Sequence, residues 1–303
     1  MLARPGKRNE LEAMSDWPEL KEALRAQGIS IADDAKPRPV GGGDISAAWR
    51  FSADDGQLFL KTGPAEFLDL YSAEADGLQA LADARAVRVP KVVGFGQSGS
   101  DAWLALEWLD LEPASTSAEA LLGRQLAEQH RRRQERFGWH RDNMIGTTPQ
   151  LNDRDDDWVR FFRERRLLIQ LQLAESNGFG GELLQEGAKL AKNLERFFDG
   201  YRPQPSLLHG DLWGGNWSSV DGKPVIFDPA VHCGDRESDL AMTRLFGGFG
   251  TEFYRAYHEE WPLAAGHEKR MALYQLYHVL NHLNMFGASY LARALSLIRE
   301  LQR

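Results

Sequence analysis

The sequence predicts an α+β protein with two lobes, a small β-rich N-lobe and a larger, mostly helical C-lobe. Short runs that alternate apolar and polar residues dominate from about 38 to 110, and long amphipathic patterns replace them after Pro113. Period-two alternation is typical of half-buried strands, and 3.6-residue spacing is typical of helices. We therefore expect lobes at 17–109 and 110–303, with a ligand-binding cleft between them.

The predicted N-lobe begins with a helix at 17–27, after an extension (1–16) that we interpret as disordered. The stretch "WRFSADDGQLFLKTG" contains two apolar-alternating runs around Asp54-Asp55-Gly56, which is a hairpin signal. A helical spacing follows in "AEFLDLYSAEADGLQALADA". Further strands are expected in "VRVPKVVGFGQSGSDAWLALEWLDL", with a turn at 98–100.

The predicted C-lobe is built from long helices that one strand-rich segment interrupts. That segment covers about 206–228 and contains "SLLHGDLWGGNWSSVDGKPVIFDPA". The helices are expected at 117–136, 155–176, 180–200, 250–260 and 267–302.

Composition narrows the functional classes. The chain has 303 residues and a formal net charge of −8, so it has no excess positive charge with which to bind a nucleic-acid backbone. No apolar run approaches the roughly 20 residues of a membrane span, and none of secretory length follows the basic N-terminus. The single cysteine, Cys233, cannot form an internal disulfide. We expect a cytoplasmic protein with no nucleic-acid or membrane partner. The sequence does not give the oligomeric state, for which a monomer is the favoured interpretation.

The segment around Asp211 contains the residues that predict chemistry. Asp211 and Asn216 have the D-x-x-x-x-N spacing of kinase catalytic loops, where the carboxylate meets an attacking hydroxyl and the amide oxygen holds Mg²⁺. The apolar run "VIF" then delivers Asp228, a second carboxylate that can bind the metal. Taken alone, Asp211 and Asn216 could equally serve local turn hydrogen bonds.

Two upstream features strengthen the kinase interpretation. Lys61 ends the predicted strand "QLFLK", and Glu74 lies thirteen residues later in a predicted helix, as expected for the lysine–glutamate pair of kinases. Before both, Gly41, Gly42 and Gly43 precede a strand and predict a phosphate-covering loop. A Walker or Rossmann loop would instead lead into a helix.

On these motifs the sequence resembles the fructosamine kinase (ketosamine 3-kinase) family. That family has a protein-kinase-like fold and is related to aminoglycoside and choline phosphotransferases. The matching pieces cover most of 17–301. They are "GGGDIS", "FLKTG", "EADGLQAL", "FGWHRDNMIGTTPQLN", "DDWVRFFRERRLLIQLQLA", "LLHGDLWGGNW", "FDPAVHCGDRESDLAMTRLFGGF" and "LYHVLNHLNMFGASYL".

The resemblance implies ATP- and Mg²⁺-dependent phosphorylation of the sugar 3-hydroxyl of ketosamines, carried by small amines or by protein lysines, in protein deglycation. It implies the following roles: Asp211 as the base, Asn216 and Asp228 as metal ligands, Lys61 on the α/β-phosphates with Glu74 as its partner, and Glu107, Trp108 and Leu109 as the adenine-binding connector.

Three positions depart from related patterns. Asp44 stands where the family's glycine loop has a small residue, which places a negative charge near the expected phosphates. Gly210 replaces the arginine of the kinase H-R-D, and Pro229 follows Asp228 where protein kinases have phenylalanine. The last two predict a kinase with no phosphorylation switch.

Other interpretations remain open from the residues. The chain could phosphorylate a different small hydroxyl compound, such as an aminoglycoside, choline or homoserine, or it could be a catalytically silent nucleotide-binding module. His278 and His282 have a metal-compatible spacing, but core packing is the favoured interpretation. For Asp235 and Asp239 the favoured role is capping and bracing of the catalytic loop.

Overall fold

The computed structural model describes residues 17–41, 45–54 and 56–303, and within it the chain forms two compact units. The first unit contains the described residues up to Gln79 together with Pro90–Asp110. The second contains Ala80–Val89 and Leu111–Arg303.

The first unit contains a five-stranded antiparallel sheet in the order β1-β2-β3-β5-β4. A 3-10 turn at Ala65–Phe67 leads into its second helix, α2, whose last residues belong to the second unit. The elements are α1 (Trp17–Ala26), β1 (Arg38–Pro39), β2 (Ala47–Ala53), β3 (Gly56–Pro64), α2 (Leu68–Ala84), β4 (Val92–Ser98) and β5 (Asp101–Glu107).

One face of this sheet packs against α1. Alternate residues of the strands point to the same face, so Trp49 and Phe51 on β2 face the same side as Leu60 on β3. Leu20 and Leu24, spaced four residues apart on α1, cover them. The predicted hairpin and both predicted helices of this unit are confirmed.

The second unit is mainly helical and contains three two-stranded antiparallel sheets. A π-helical turn (Arg163–Leu167) joins α4 to α5, and 3-10 turns occupy Leu194–Phe198 and Ala288–Tyr290. The elements are α3 (Thr116–Arg131), β6 (Asn143–Ile145), β7 (Thr148–Gln150), α4 (Trp158–Phe162), α5 (Leu168–Ser176), α6 (Glu182–Lys192), β8 (Ser206–Leu208), β9 (Trp217–Val220), β10 (Lys223–Ile226), β11 (His232–Gly234), α7 (Glu237–Leu245), α8 (Thr251–Glu260), α9 (His267–Phe286) and α10 (Leu291–Leu301).

The helices of this unit differ from the expectation in several places. The helix expected at 117–136 ends at Arg131, and the helix expected at 180–200 ends at Lys192 and is followed by a 3-10 turn. The continuous helix expected at 267–302 is wrong, because Gly287 has φ +91° and ends α9 before α10 begins. No bounds were predicted for α7, the helix that Asp235 or Asp239 could cap, because its nine residues are too few to show a clear helical periodicity.

Buried polar contacts fix the packing of α7 on α9. The guanidinium of Arg270 donates from Nε and Nη2 to the two carboxylate oxygens of Glu237, at 2.8 and 3.0 Å. Both side chains are almost fully buried, at 1% and 0% exposure. A paired, hydrogen-bonded charge is the form in which ions are tolerated in a protein interior.

None of the helices in the described part of the chain is long and apolar enough to cross a membrane.

Candidate active site

The turn after β8 and the hairpin of β9 and β10 bring together the three predicted catalytic and metal-binding residues. Trp217 pairs with Ile226 across this hairpin, and the Phe227 N–H donates to the Asn216 carbonyl at 3.0 Å. The residue after Phe227 is Asp228, so the end of β10 places it beside Asn216. Asp211 precedes β9 in the same turn, because the Trp213 N–H donates to the Asp211 carbonyl at 3.1 Å.

The Asn216 carboxamide is held in one orientation by these neighbours. Its Nδ2 donates to the backbone carbonyl of Asp211 at 2.9 Å, and more weakly to Asp211 Oδ2 and the Asp228 carbonyl, both at 3.4 Å. The amide nitrogen is thereby directed at the protein. The Oδ1 atom consequently points away from these carbonyls and is the atom that Asn216 can offer to a cation.

The electrostatics of Asp211 reflect its crowded surroundings. Removal from water, together with the nearby charges of Asp228 and Asp239, raises the pKa of Asp211 to about 7, while the hydrogen bond from Asn216 acts in the opposite direction. Two carboxylates and an amide oxygen are hard oxygen donors, and repulsion between the carboxylates is relieved by a divalent cation. The donor set therefore fits Mg²⁺.

His209 braces the same turn as a neutral imidazole. The Asp211 N–H donates to its Nδ1 at 3.3 Å, so Nε2 carries the ring proton and donates to the Phe227 carbonyl at 2.9 Å. Burial lowers the pKa of His209, which keeps the ring neutral at pH 7, and the two hydrogen bonds select this tautomer. The histidine thus links the Asp211 turn to the residue before Asp228, and its role is structural.

Asp239 fixes the same turn by accepting hydrogen bonds from its backbone. Its carboxylate accepts the backbone N–H groups of His209 and Gly210, both at 2.8 Å, and accepts from His130 Nε2 at 3.1 Å. Burial alone would raise the pKa of Asp239, but the hydrogen bonds that its carboxylate accepts from His130 and from the Gly210 N–H lower it below its usual value. The expectation that Asp239 braces the loop is confirmed. Asp235, also fully buried, accepts from the Glu237 N–H at the start of α7.

Gly210 is required by a close backbone contact. Its φ is +84°, and a Cβ at this position would lie 2.0 Å from the Ala230 carbonyl oxygen. The Ala230 N–H donates to the His209 carbonyl at 2.8 Å, so the segment after Asp228 packs directly on the turn. Asp228 itself has φ +56°, a conformation that is uncommon outside glycine and that clusters at functional sites.

A buried carboxamide network, which sequence reasoning missed, holds this segment from the other side. Gln150 Nε2 donates to the Ala230 carbonyl at 3.2 Å and to Asn143 Oδ1 at 2.8 Å. Asn143 Nδ2 donates to the Val231 carbonyl at 2.7 Å. The Tyr277 hydroxyl completes the network by donating to Gln150 Oε1 at 2.9 Å. Nothing in the spacing of these residues marks them, because the contacts join β6 and β7 to residues about 80 positions later.

In the first unit, Lys61 on β3 and Glu74 on α2 form an ion pair. Lys61 Nζ lies 2.7 Å from Glu74 Oε1, and the two side chains are only 12% and 11% exposed. A partly buried pair of this kind holds the ammonium in a fixed place. Their part in nucleotide binding stays a prediction.

The connector residues are not equivalent. The Glu107 N–H donates to the Lys91 carbonyl at 2.8 Å and the Trp108 N–H donates to the Gln57 carbonyl at 3.3 Å. Among the described residues, the Leu109 N–H has no such partner. Leu109 is therefore the connector residue whose N–H can meet a ligand.

The glycine loop is described only in part. Gly41 follows β1 and is exposed. Gly42, Gly43 and Asp44, on which the phosphate-loop prediction also rests, lie outside the described residues.

The remaining candidates do not form a second site. Within 17–41, 45–54 and 56–303, no group of three or more His, Cys, Asp or Glu side chains could hold a metal ion. His278 is buried in the core, as favoured above, and the His282 Nδ1 donates back to its carbonyl at 2.8 Å. Cys233 is buried, and burial raises the pKa of its thiol to about 12.

Comparisons with known proteins agree with this geometry. The family model for fructosamine kinase matches residues 16–303. The chain belongs to the fructosamine kinase family. It is a kinase that acts on a hydroxyl group, and the resemblance expected from the motifs is confirmed.

Individual relatives support the assignment. The chain is 38% identical over 297 residues to the chloroplast protein-ribulosamine 3-kinase of Arabidopsis thaliana, covering 97% of this chain and 90% of that one. A solved fructosamine-3-kinase homologue from Haemophilus somnus superposes with a TM-score of 0.86 at 29% identity, covering 97% and 99% of the two chains. The aminoglycoside phosphotransferase APH(2″)-Ib shares the fold, with a TM-score of 0.61 at 15% identity over 94% and 97%. The predicted protein-kinase-like fold is confirmed.

Proposed function

We propose that this kinase transfers the γ-phosphoryl group of ATP to the sugar 3-hydroxyl of a ketosamine formed on an amine or a protein lysine. The observation that carries the proposal is the arrangement of Asp211, Asn216 and Asp228 in a chain of this family. The 38% identity to a protein-ribulosamine 3-kinase supports the acceptor class. The consequence for the cell is the first step of protein deglycation.

In the proposed reaction, the sugar O3 attacks the γ-phosphorus, the bond to the β–γ bridging oxygen breaks, and ADP leaves. Asp211 orients the hydroxyl and accepts its proton. Mg²⁺, when bound, neutralises the negative charge on the transferring phosphoryl group. Asn216 Oδ1 and the Asp228 carboxylate would hold it.

We assign nucleotide binding to residues of the first unit. Lys61, fixed by Glu74, meets the α/β-phosphates, and its Nζ position is supported by the 2.7 Å contact with Glu74. The connector formed by Glu107, Trp108 and Leu109 binds adenine, chiefly through the Leu109 N–H. The loop beginning at Gly41, and including Gly42 and Gly43, covers the phosphates.

We also propose that the enzyme works in the cytoplasm, where ATP is available, and that the two lobes divide at about residue 110. The buried, unpaired Cys233 supports a reducing compartment.

The test is coupled ATP turnover with ribulosamine, erythrulosamine and fructosamine adducts of lysine, compared with choline and aminoglycoside acceptors. Removing a general base costs about 10²–10⁴ in rate, so Asp211→Asn should lose that factor in kcat while its ATP affinity changes little. Normal turnover by a folded Asp211→Asn enzyme would refute the assignment of the base. Preference for choline or an aminoglycoside would refute the acceptor class.

A further inference from the structure

An exposed aromatic cluster lies beside the turn that carries Asp211. Trp213, Phe246 and Phe286 are among the most exposed large hydrophobic side chains of the described residues, at 40%, 38% and 49%. Ring contacts connect them: Trp213 to Phe246 at 6.5 Å, Phe246 to His282 at 4.7 Å, and His282 to Phe286 and Tyr290 at 5.4 and 5.2 Å. We call these five residues the aromatic surface.

Glycine contacts fix the end of the aromatic surface nearest Asp211. A Cβ on Gly215 would lie 2.3 Å from the Trp213 ring, so the ring lies flat against the backbone there. A Cβ on Gly214 would lie 2.9 Å from the Gly247 carbonyl oxygen, so the turn packs directly on the segment after Phe246. The backbone around Trp213 is therefore closely packed, which fixes the position of its exposed ring.

The aromatic surface is formed by contacting aromatic rings and has a cation at its rim. Burial lowers the pKa of His282, so its ring is neutral at pH 7. The Arg293 guanidinium lies 5.9 Å from the Phe246 ring and is held by donating to the Leu245 carbonyl at 3.2 Å. Contiguous exposed apolar surface with a polar rim is typical of an interaction site.

The position of the aromatic surface next to Asp211 indicates which part of an acceptor could bind to it. Trp213 lies two residues after Asp211 in the same turn, and its N–H donates to the Asp211 carbonyl at 3.1 Å, so the aromatic surface begins next to the residue that we propose meets the acceptor hydroxyl. Ring contacts continue from Trp213 through Phe246 and His282 to Phe286, and these steps set an upper limit on the length of the path. At about 3.5 Å per extended residue, the path accommodates at most about four to five residues. A free sugar-amine is too short to use it.

We propose that the aromatic surface binds apolar side chains that flank a ketosamine-bearing lysine in a polypeptide acceptor. This inference rests on the proposed function and extends it, because it specifies a polypeptide with apolar residues near the modified lysine as the preferred acceptor.

The experiment compares three acceptors that carry the same ketosamine: free Nα-blocked lysine, a peptide with Phe and Leu beside the modified lysine, and a peptide with Gly and Ser there. Phe286→Ala and Phe246→Ala are measured against wild type. Phe95→Ala is the matched control, since Phe95 is a phenylalanine with 37% exposure in the first unit. Phe286→Leu keeps apolar area without the ring.

We expect wild type to prefer the apolar peptide, with a lower KM. An interface anchor that contributes one to two kcal/mol corresponds to a factor of about 5–30, so Phe286→Ala should raise KM for the apolar peptide by that factor. The KM for free lysine ketosamine should not change, Phe95→Ala should behave as wild type, and Phe286→Leu should retain most of the preference.

Three results would overturn the inference. If wild type turns over both peptides with equal kcat/KM, the inference fails while the proposed function stands. The same conclusion follows if Phe286→Ala lowers kcat/KM by the same factor on all three acceptors. A wild-type dimer in analytical ultracentrifugation that Phe286→Ala converts to monomer would show that a second copy of the chain covers the surface. Absence of turnover on every ketosamine would instead overturn the proposed function together with it.

Discussion

Substituting Gly210 tests whether the segment after Asp228 must pack directly on the catalytic turn. In Gly210→Ala, the new Cβ would lie 2.0 Å from the Ala230 carbonyl oxygen, and the residue would keep φ +84°. The left-handed conformation costs roughly 1–2 kcal/mol for an L-residue, and overpacking a tight contact adds about 1–3 kcal/mol. The free energy of unfolding should therefore fall by about 2–5 kcal/mol.

Gly222 provides the matched control. It also has a left-handed φ, +70°, in the turn between β9 and β10, but a Cβ there would meet nothing within 4 Å. Gly222→Ala should cost only the conformational part, about 1–2 kcal/mol. At about 2 °C per kcal/mol for a chain of this size, the melting temperature should fall by about 4–10 °C for Gly210→Ala and about 2–4 °C for Gly222→Ala.

Activity should separate the two variants more sharply than stability does. Relieving the clash moves Ala230, two residues from Asp228, and a displacement of about 1 Å at a reacting centre can cost about 100-fold in rate. Coupled ATP turnover below both melting temperatures should show that loss in kcat for Gly210→Ala and near wild-type kcat for Gly222→Ala. A Gly210→Ala enzyme with wild-type kcat, or with the same melting temperature as Gly222→Ala, would refute this reasoning.

Three further predictions concern buried polar groups. Gln150→Leu removes one of the two donors to the Ala230 carbonyl and leaves only His232 Nδ1, so kcat should fall and the Mg²⁺ concentration for half-maximal rate should rise, while circular dichroism stays unchanged. Arg270→Met leaves the Glu237 carboxylate buried and unpaired, which should cost about 3–5 kcal/mol in urea unfolding, and adding Glu237→Leu should recover part of the loss. Burial lowers the pKa of His232 and His278 to about 3, below the unfolded value near 6.5, so stability is fully present above pH 6.5 and falls as the pH drops. Each histidine should cost about 2 kcal/mol at pH 5, and His278→Leu should reduce the change in the free energy of unfolding between pH 7 and 5 by about that amount relative to wild type.

The part of the site that the sequence could predict is local in the chain. Asp211, Asn216 and Asp228 lie within eighteen residues, and a short hairpin is enough to bring them together. The pairing of Lys61 with Glu74 was also predictable, since a strand followed by a helix places the two within reach. The N-lobe hairpin could be predicted because apolar and polar residues alternate along β2 and β3 on either side of one turn.

What could not be predicted depends on contacts between distant positions. The Gln150 and Asn143 contacts with Ala230 and Val231 join residues 80 and 88 positions apart, and although both carboxamides lie in a piece that matches the family, their spacing assigns them no role. The break at Gly287 was missed for a different reason, because an isolated glycine is tolerated inside a helical pattern and only its φ of +91° shows that the helix ends.

The contacts around Ala230 give a physical meaning to Gly210 and Pro229, which depart from the protein-kinase pattern. In a switched kinase the segment after the metal-binding aspartate changes conformation, and an arginine in the catalytic loop reads its phosphorylation. Here the Ala230 carbonyl accepts hydrogen bonds from Gln150 Nε2 and His232 Nδ1, and the Ala230 N–H donates to the His209 carbonyl. The same carbonyl lies so close to Gly210 that a side chain there would clash with it. An alternative position for Ala230 would lose these three hydrogen bonds while its two polar groups stayed buried, at about 1–3 kcal/mol for each unsatisfied group. The Asp211 turn and the Asp228 segment therefore behave as one unit, and we expect control of the proposed reaction to act on the acceptor or the nucleotide rather than on this segment.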